Sequence, residues 1–196
     1  MVTTVMKRVF GVVVALASVV LLSACSILPS PPGTVFDDDE QRAAVQMRHI
    51  ADAVRQHDAA ALEKLFSPRA REKSTDLDGG LKYFLSVFPS GKLTWETAGT
   101  GSKSDTQGLK TATELYGNFK VSANGEKYSL YFAYFRVNDF DPKNVGIYAL
   151  GVALRADDGY TASGAKKPFA EWASQFGISD ATNAATGDPG VFIPPK

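Results

Sequence analysis

Ser122-Ala-Asn-Gly-Glu-Lys-Tyr-Ser-Leu-Tyr-Phe-Ala-Tyr-Phe135 joins a tight-turn signal to a run that is apolar or aromatic at both odd and even positions. Asn124-Gly125 readily takes the positive φ values of a two-residue hairpin turn, so the chain reverses there. A strand apolar on both faces needs a layer on each side, which makes Tyr128–Phe135 central in a sheet. Its hairpin partner precedes the turn, with Leu115, Phe119 and Val121 on one face and Glu114, Asn118 and Lys120 on the other. Further upstream, after Pro89-Ser90-Gly91, the run from Lys92 to Thr97 alternates and carries strand-favouring residues. A polar loop from Gly99 to Gly108 is expected to connect these two strands. Downstream, Val145–Leu154 is a fourth strand, again apolar on both faces, ended by Asp157-Asp158-Gly159.

The first half has a different period. Between Gln41 and His57 the apolar residues Ala43, Met47, Ile50 and Val54 recur at helical steps, which predicts an amphipathic helix with one buried face. The acids from Asp37 to Glu40 suit a helix start, where negative charge meets exposed amides. Asp58 is placed to cap a second short helix with Leu62, Leu65 and Phe66 on its apolar side. Ser67-Pro68 starts a third, serine as cap and proline in the first turn. Leu81, Phe84, Leu85 and Phe88 mark a fourth, behind Asp76-Leu77-Asp78-Gly79-Gly80. Helices followed by consecutive antiparallel strands make an α+β fold, not an alternating α/β one.

This order of helices and then a long-stranded curved sheet resembles the nuclear-transport-factor-2-like (cystatin-like) cone, in which N-terminal helices pack on a curved, mainly antiparallel sheet. Within it, His49–Leu154 looks like an uncharacterised group of bacterial lipoproteins, domain of unknown function 5104. The matching residues are Asp58–Ser67, the Trp95-Glu96 pair, Lys127–Phe132 and Asp141–Leu150, with Pro189–Pro194 similar to the group's closing strand. The segment from Ala162 to Asp188 departs from the pattern. The resemblance implies a fold and an address, and no activity, because shared fold does not carry function.

The address is written at the start of the chain. Lys7 and Arg8 precede an uncharged stretch from Val9 to Leu22, and small residues lead to Cys25, the single cysteine. That is the layout of a secretory signal, and at about fourteen residues the stretch falls short of the roughly 20 needed to span a bilayer. Leu22-Ser23-Ala24-Cys25 resembles the bacterial lipobox, which implies cleavage before Cys25 and its lipidation, leaving residues 1–24 as a signal peptide. Two or three acyl chains hold firmly where one does not. The expected location is the extracytoplasmic face of the cell membrane, with the membrane as partner through the anchor on Cys25. Pro29, Pro31 and Pro32 stiffen a spacer through residue 38, and residues 39–196 form one α+β domain with a helical insertion near 166–177 and a closing strand near 190–194.

Composition narrows the chemistry. The chain has 21 basic and 21 acidic residues, and without Lys7 and Arg8 it turns slightly acidic. Nucleic acid is not expected as a partner, since binding it takes clustered cations. Lipidation would consume the sole thiol, so neither a disulfide nor thiol catalysis is expected. His49 and His57 lie eight apart, too far to chelate one metal from adjacent turns, and read as solvated or capping residues. Asp139, Asp141 and Asn144 faintly resemble a calcium loop but lack its central glycine and downstream glutamate, and an Asp-Pro turn accounts for them better. Asp76 and Asp78 are either paired carboxylates or, preferably, capping residues. No metal and no cofactor are expected.

Aromatic residues are the remaining signal. Tyr83, Trp95, Tyr116, Tyr131, Tyr134 and Tyr148, with Tyr128 among them, fall in the sheet and the helix over it, and amphipathic rings commonly line small-molecule pockets. Phe169, Trp172 and Phe176 form a stripe on a short helix, expected to pack as a lid or plug and otherwise free to dock a partner. The expected function is a tethered, non-catalytic binding module taking a small apolar or amphipathic ligand, or a neighbouring envelope protein, in a closed apolar pocket. A hydrolase or isomerase using a pocket Asp or Glu with a tyrosine is the alternative, recognisable if Asp76, Asp78 or Glu114 meets a tyrosine hydroxyl inside the cone. A purely structural interaction module is the third, recognisable by a filled cone with Trp172 outside.

Overall fold

The computed structural model describes residues 35–88, 93–159, 161–175 and 189–194. The signal segment, Cys25, the spacer up to residue 34, Pro89–Gly91, Phe176 and most of the tail beyond it lie outside the described residues, while residues 35–38, expected to close the spacer, are already helical. Residues Val35–Lys196 form one compact unit. Its elements in chain order are helices α1 (Val35–Arg55), α2 (Ala59–Lys64), α3 (Pro68–Lys73) and α4 (Leu77–Val87); strands β1 (Leu93–Gln107), β2 (Lys110–Ala123), β3 (Glu126–Asn138) and β4 (Gly146–Leu154); helix α5 (Pro168–Ala173); and the short strand β5 (Gly190–Val191). Short 3-10 turns at Pro142–Asn144 and Arg155–Asp157 flank β4. The fold is α+β, with helices ahead of a mainly antiparallel sheet, consistent with a cone.

The helix starts follow their caps. Asp58 accepts from the Ala61 amide, Ser67 from the Ala70 amide and Asp76 from the Gly79 amide, each 2.8 to 3.0 Å away, satisfying amides that a helix start leaves unpaired. Helix α1 begins at Val35, so the acidic run lies within its first turns: Asp38 pairs with Arg42, and buried Asp39 accepts from Ser102 on β1. Ala43, Met47, Ile50 and Val54 are all buried. His57 follows the helix at φ 53°, the left-handed position that ends helices, and both histidines are exposed.

The strands lie in the order β1-β2-β3-β4-β5, antiparallel except for the β4–β5 pair. Asn124 at φ 53° and Gly125 at φ 85° turn β2 into β3. The connection expected to be a loop over Gly99–Gly108 is instead strand, and Gln107 pairs with Lys110 across a two-residue turn. Gly108, at φ 62°, supplies the positive value that a Gly-X hairpin needs. Apolar periodicity misses this half of β1 because it is a solvated edge. Its cross-strand partners are polar, with Ser104 and Thr113 hydroxyls 3.0 Å apart and those of Thr106 and Thr111 3.2 Å apart, contacts that hold a ladder without a buried face.

Register divides the sheet into two faces. One carries Trp95, Leu115, Phe119, Val121, Leu130, Phe132 and Leu150 and receives the helices: Phe88 meets Tyr128 edge-on at 5.3 Å, and the Arg55 guanidinium lies 5.4 Å over the Trp95 ring. The opposite face carries Glu114, Tyr116, Asn118, Lys120, Ser129, Tyr131 and Gly151. Helix α5 sits there, with the Trp172 ring 6.1 Å from Tyr131 and 6.0 Å from Phe169. Gly151 permits it, since a Cβ at that position would come within 2.5 Å of the Trp172 ring. The stripe therefore packs as a lid at Phe169 and Trp172.

Candidate functional site

Glu114 and Tyr148 meet inside the domain. Glu114 is 2 % exposed and Tyr148 1 %, and the Tyr148 hydroxyl donates to Glu114 Oε1. Two irregularities bring them together. The β2–β3 register shifts between Thr113 and Glu114, placing Glu114 opposite Phe135. The β3–β4 register shifts between Ala133 and Tyr134, which leaves Tyr148 as the extra residue of β4, and a bulge of this kind re-aims a side chain. Its ring stacks on Phe135 with centroids 5.1 Å apart. Lys103 stands opposite Glu114 on β1.

Burial pushes the Tyr148 and Tyr131 hydroxyls well above the ordinary phenol value, with Glu114's charge adding to both. Burial raises Tyr83 and Tyr134 as well. A hydroxyl raised in the folded state stabilises it fully below the unfolded value of 10.0, and that contribution is lost as pH climbs toward the folded value. The domain is therefore expected to lose stability from about pH 10 upward, with Tyr131 and Tyr148 ionising only on unfolding. Tyrosinate absorbance followed beside circular dichroism checks this; ionisation of all tyrosines ahead of unfolding would contradict it.

The other predicted residues do not gather around this pair. Tyr83 borders a cleft of about 340 Å³ formed by Ala153, Leu154, Phe169, Phe192 and Pro194, with Asp157 and Lys167 among its polar lining. Trp95 borders a second, of about 250 Å³, with Thr94, Glu96, Lys120, Ser122, Lys127 and Arg155. A third of about 400 Å³ lies between β1, β2 and α5. Tyr116, Tyr131, Tyr134 and Tyr148 line none of these three. Tyr116 is exposed over Gly101, Tyr134 is half-buried beside Phe132, and Tyr131 and Tyr148 are core.

The carboxylates singled out in the sequence are engaged structurally. Asp76 caps α4 and Asp78 pairs with Lys82. Asp139 accepts from the Thr111 amide, while Asp141 accepts from Lys143 and binds Arg69 at 2.8 Å. Asn144 is buried at the end of the same turn. These contacts make the segment a strand-joining turn. No group of three or more metal-ligating side chains occurs among the described residues.

A family model described as a domain of unknown function, DUF5104, matches residues 49–156, more than half of the chain. The chain belongs to the DUF5104 family. The matched region runs from α1 to the turn after β4, so it holds Glu114, Tyr148 and the sheet but stops short of α5 and β5. The floor of the Tyr83 cleft thus belongs to the DUF5104 region, and its Phe169 and Phe192 wall lies beyond the match. No curated protein matches the chain.

Sequence reasoning did not find the Glu114–Tyr148 pair as a pair. Glu114 was legible as a candidate, but its partner lies 34 residues away and reaches it through a bulge that leaves no mark in hydrophobic periodicity. Arg155 and Lys127, which line the clefts on the same face, were also missed. A basic residue at a strand end reads as solvated unless its neighbours in space are known.

Proposed function

We propose that this chain is a lipoprotein held at the extracytoplasmic face of the cell membrane by acyl chains on Cys25. Its domain is of the nuclear-transport-factor-2-like kind and acts as a non-catalytic binding module for a small apolar or amphipathic ligand. The observation that carries the binding role is the cleft beside Tyr83. Its wall is mostly apolar, its volume of about 340 Å³ falls in the range of small-molecule sites, and Asp157 and Lys167 supply polar groups for a ligand's hydrophilic end. Among the described residues no helix is long and apolar enough to cross a membrane. The anchor therefore rests on the Leu22–Cys25 run.

Two experiments test this. Cys25→Ser should release the chain from membranes or block its processing while circular dichroism stays unchanged; normal cleavage with full membrane retention would refute the anchor. Leu154→Trp should fill the cleft and weaken binding of a fluorescent fatty-acid probe by about tenfold, which corresponds to ~1.4 kcal/mol. Mass spectrometry of the wild-type chain purified from membranes should find a co-purifying small molecule. Unchanged probe affinity in the variant would remove the cleft from consideration.

One observation favours a second function. Glu114 receiving the Tyr148 hydroxyl in the interior is the meeting expected of a hydrolase or isomerase, in which paired acid and base groups move a proton. Catalysis also needs room for substrate beside the pair, and neither residue lines the three clefts. An envelope-protein docking role draws on the packed interior, but Trp172 is half-buried against the sheet and so withdrawn from a partner.

A further inference from the structure

The sheet face opposite α1 carries a group of cations that lies outside the Tyr83 cleft. Lys120, Lys127 and Arg155 converge on the 250 Å³ groove, joined by the Thr94 and Ser122 side chains. The groove holds one carboxylate, Glu96, which lies 3.4 Å from Lys120. Three cations against one carboxylate leave an excess of two positive charges in one pocket. Arg155 adds the decisive feature: its Nε is buried and has no hydrogen-bond partner. A buried donor left unmatched costs about 1–3 kcal/mol, so native structures seldom retain one without use.

The groove continues into the 400 Å³ cleft, since Lys120 and Arg155 line both. That half has an apolar side formed by Phe169, Ala170 and Ala173, and a polar side bearing Asn118 and Ser129. Asp158 is a second carboxylate in this cleft, and its Oδ1 accepts from the Gly159 amide. Cations and an apolar side thus border one continuous groove.

We propose that this groove is an anion-binding site for a phosphate-bearing small molecule, with the phosphate held by Arg155, Lys120 and Lys127 and the remainder of the ligand lying against Phe169 and Ala173. The planar guanidinium matches an oxyanion through two parallel hydrogen bonds, which lysine cannot do. Hydroxyls at Thr94 and Ser122 donate to the remaining oxygens. With Glu96 and Asp158 both counted, three cations face two carboxylates, and the net positive charge suits an anionic group. This site is separate from the Tyr83 cleft, with Phe169 standing between the two.

The test is calorimetric titration of the full-length chain with inorganic phosphate and, separately, with lysophosphatidate below its micelle concentration. Saturable binding is expected, weakening as salt rises because the cations are partly exposed. Arg155→Met should reduce affinity about tenfold, or ~1.4 kcal/mol, with a melting temperature no lower than the parent's because the unmatched buried donor is gone, and Lys127→Gln should reduce it by a smaller factor with unchanged melting temperature. Phosphate binding alone identifies a free phosphate or phosphate ester, whereas preference for lysophosphatidate identifies a lipid headgroup with its chain on Phe169; either supports the site. No saturable binding of either probe, or binding indifferent to both Arg155→Met and Lys127→Gln, overturns it. Should Arg155→Met fail to fold, Lys127→Gln decides, since Lys127 is exposed and its loss cannot unmake the core.

Discussion

Phe132→Ala is expected to destabilise the domain by about 4 kcal/mol, because truncating a fully buried aromatic loses its transfer free energy and leaves a cavity. Phe132 is 0 % exposed on the central strand. Its ring stacks on Phe119 with centroids 5.8 Å apart and lies 6.4 Å from Tyr134. Gly117, its cross-strand neighbour, contributes no side chain that could collapse into the gap, and a Cβ there would come within 2.8 Å of the ring. The strands on either side are held by full ladders, so the backbone has little freedom to relax. Urea denaturation should show a lower midpoint with an unchanged slope; a loss under ~1 kcal/mol would mean that the centre of the sheet is loosely packed.

Tyr148→Phe is expected to cost about 2 kcal/mol, the usual contribution of a hydrogen bond to a charged group. The substitution keeps the ring that stacks on Phe135 and removes only the hydroxyl, leaving the buried Glu114 carboxyl without this donor. Glu114→Leu should cost a similar amount, because the Tyr148 hydroxyl then loses this acceptor. The double variant should cost less than the two singles together, since removing both polar partners abolishes the desolvation penalty along with the bond. Reversed signs would carry a different meaning. If either single variant proves more stable than the parent, the pair is held at a cost to the fold, as catalytic groups commonly are, and the acid-base enzyme displaces the binding module.

Much of the fold was legible because burial has a period. Ala43, Met47, Ile50 and Val54 announce one helix face, and Asp58, Ser67 and Asp76 announce helix starts through short side chains that reach their own backbone. Asn124-Gly125 announces a turn. The outer half of β1 escaped because an edge strand open to water needs no apolar alternation, and its Ser, Thr, Gly and Lys residues have the composition of a loop. The segment around Asp141 was legible as a turn because Asp141 accepts from the nearby Lys143 amide ahead of a proline turn, whereas the aromatic set was read from residue type alone. Residue type could not tell Tyr83, at a cleft, from Tyr148, in the core, since the difference lies in which elements pack against each ring.

Local spacing therefore determined the α+β order, the helix caps, the central position of β3 and the α5 stripe, because each depends on neighbours within a few residues. The proposed membrane address, too, rests on one short run ending at Cys25. Tertiary structure alone decided which polar groups meet. Glu114 finds Tyr148 through two register shifts, and Lys120, Lys127 and Arg155 converge because the β2–β3 turn and the end of β4 lie side by side on one face. Strand pairing brings together residues that are distant in sequence, and a one-residue shift in register changes the face on which a side chain emerges. A hydrophobic pattern specifies which residues are buried, but not which of them touch.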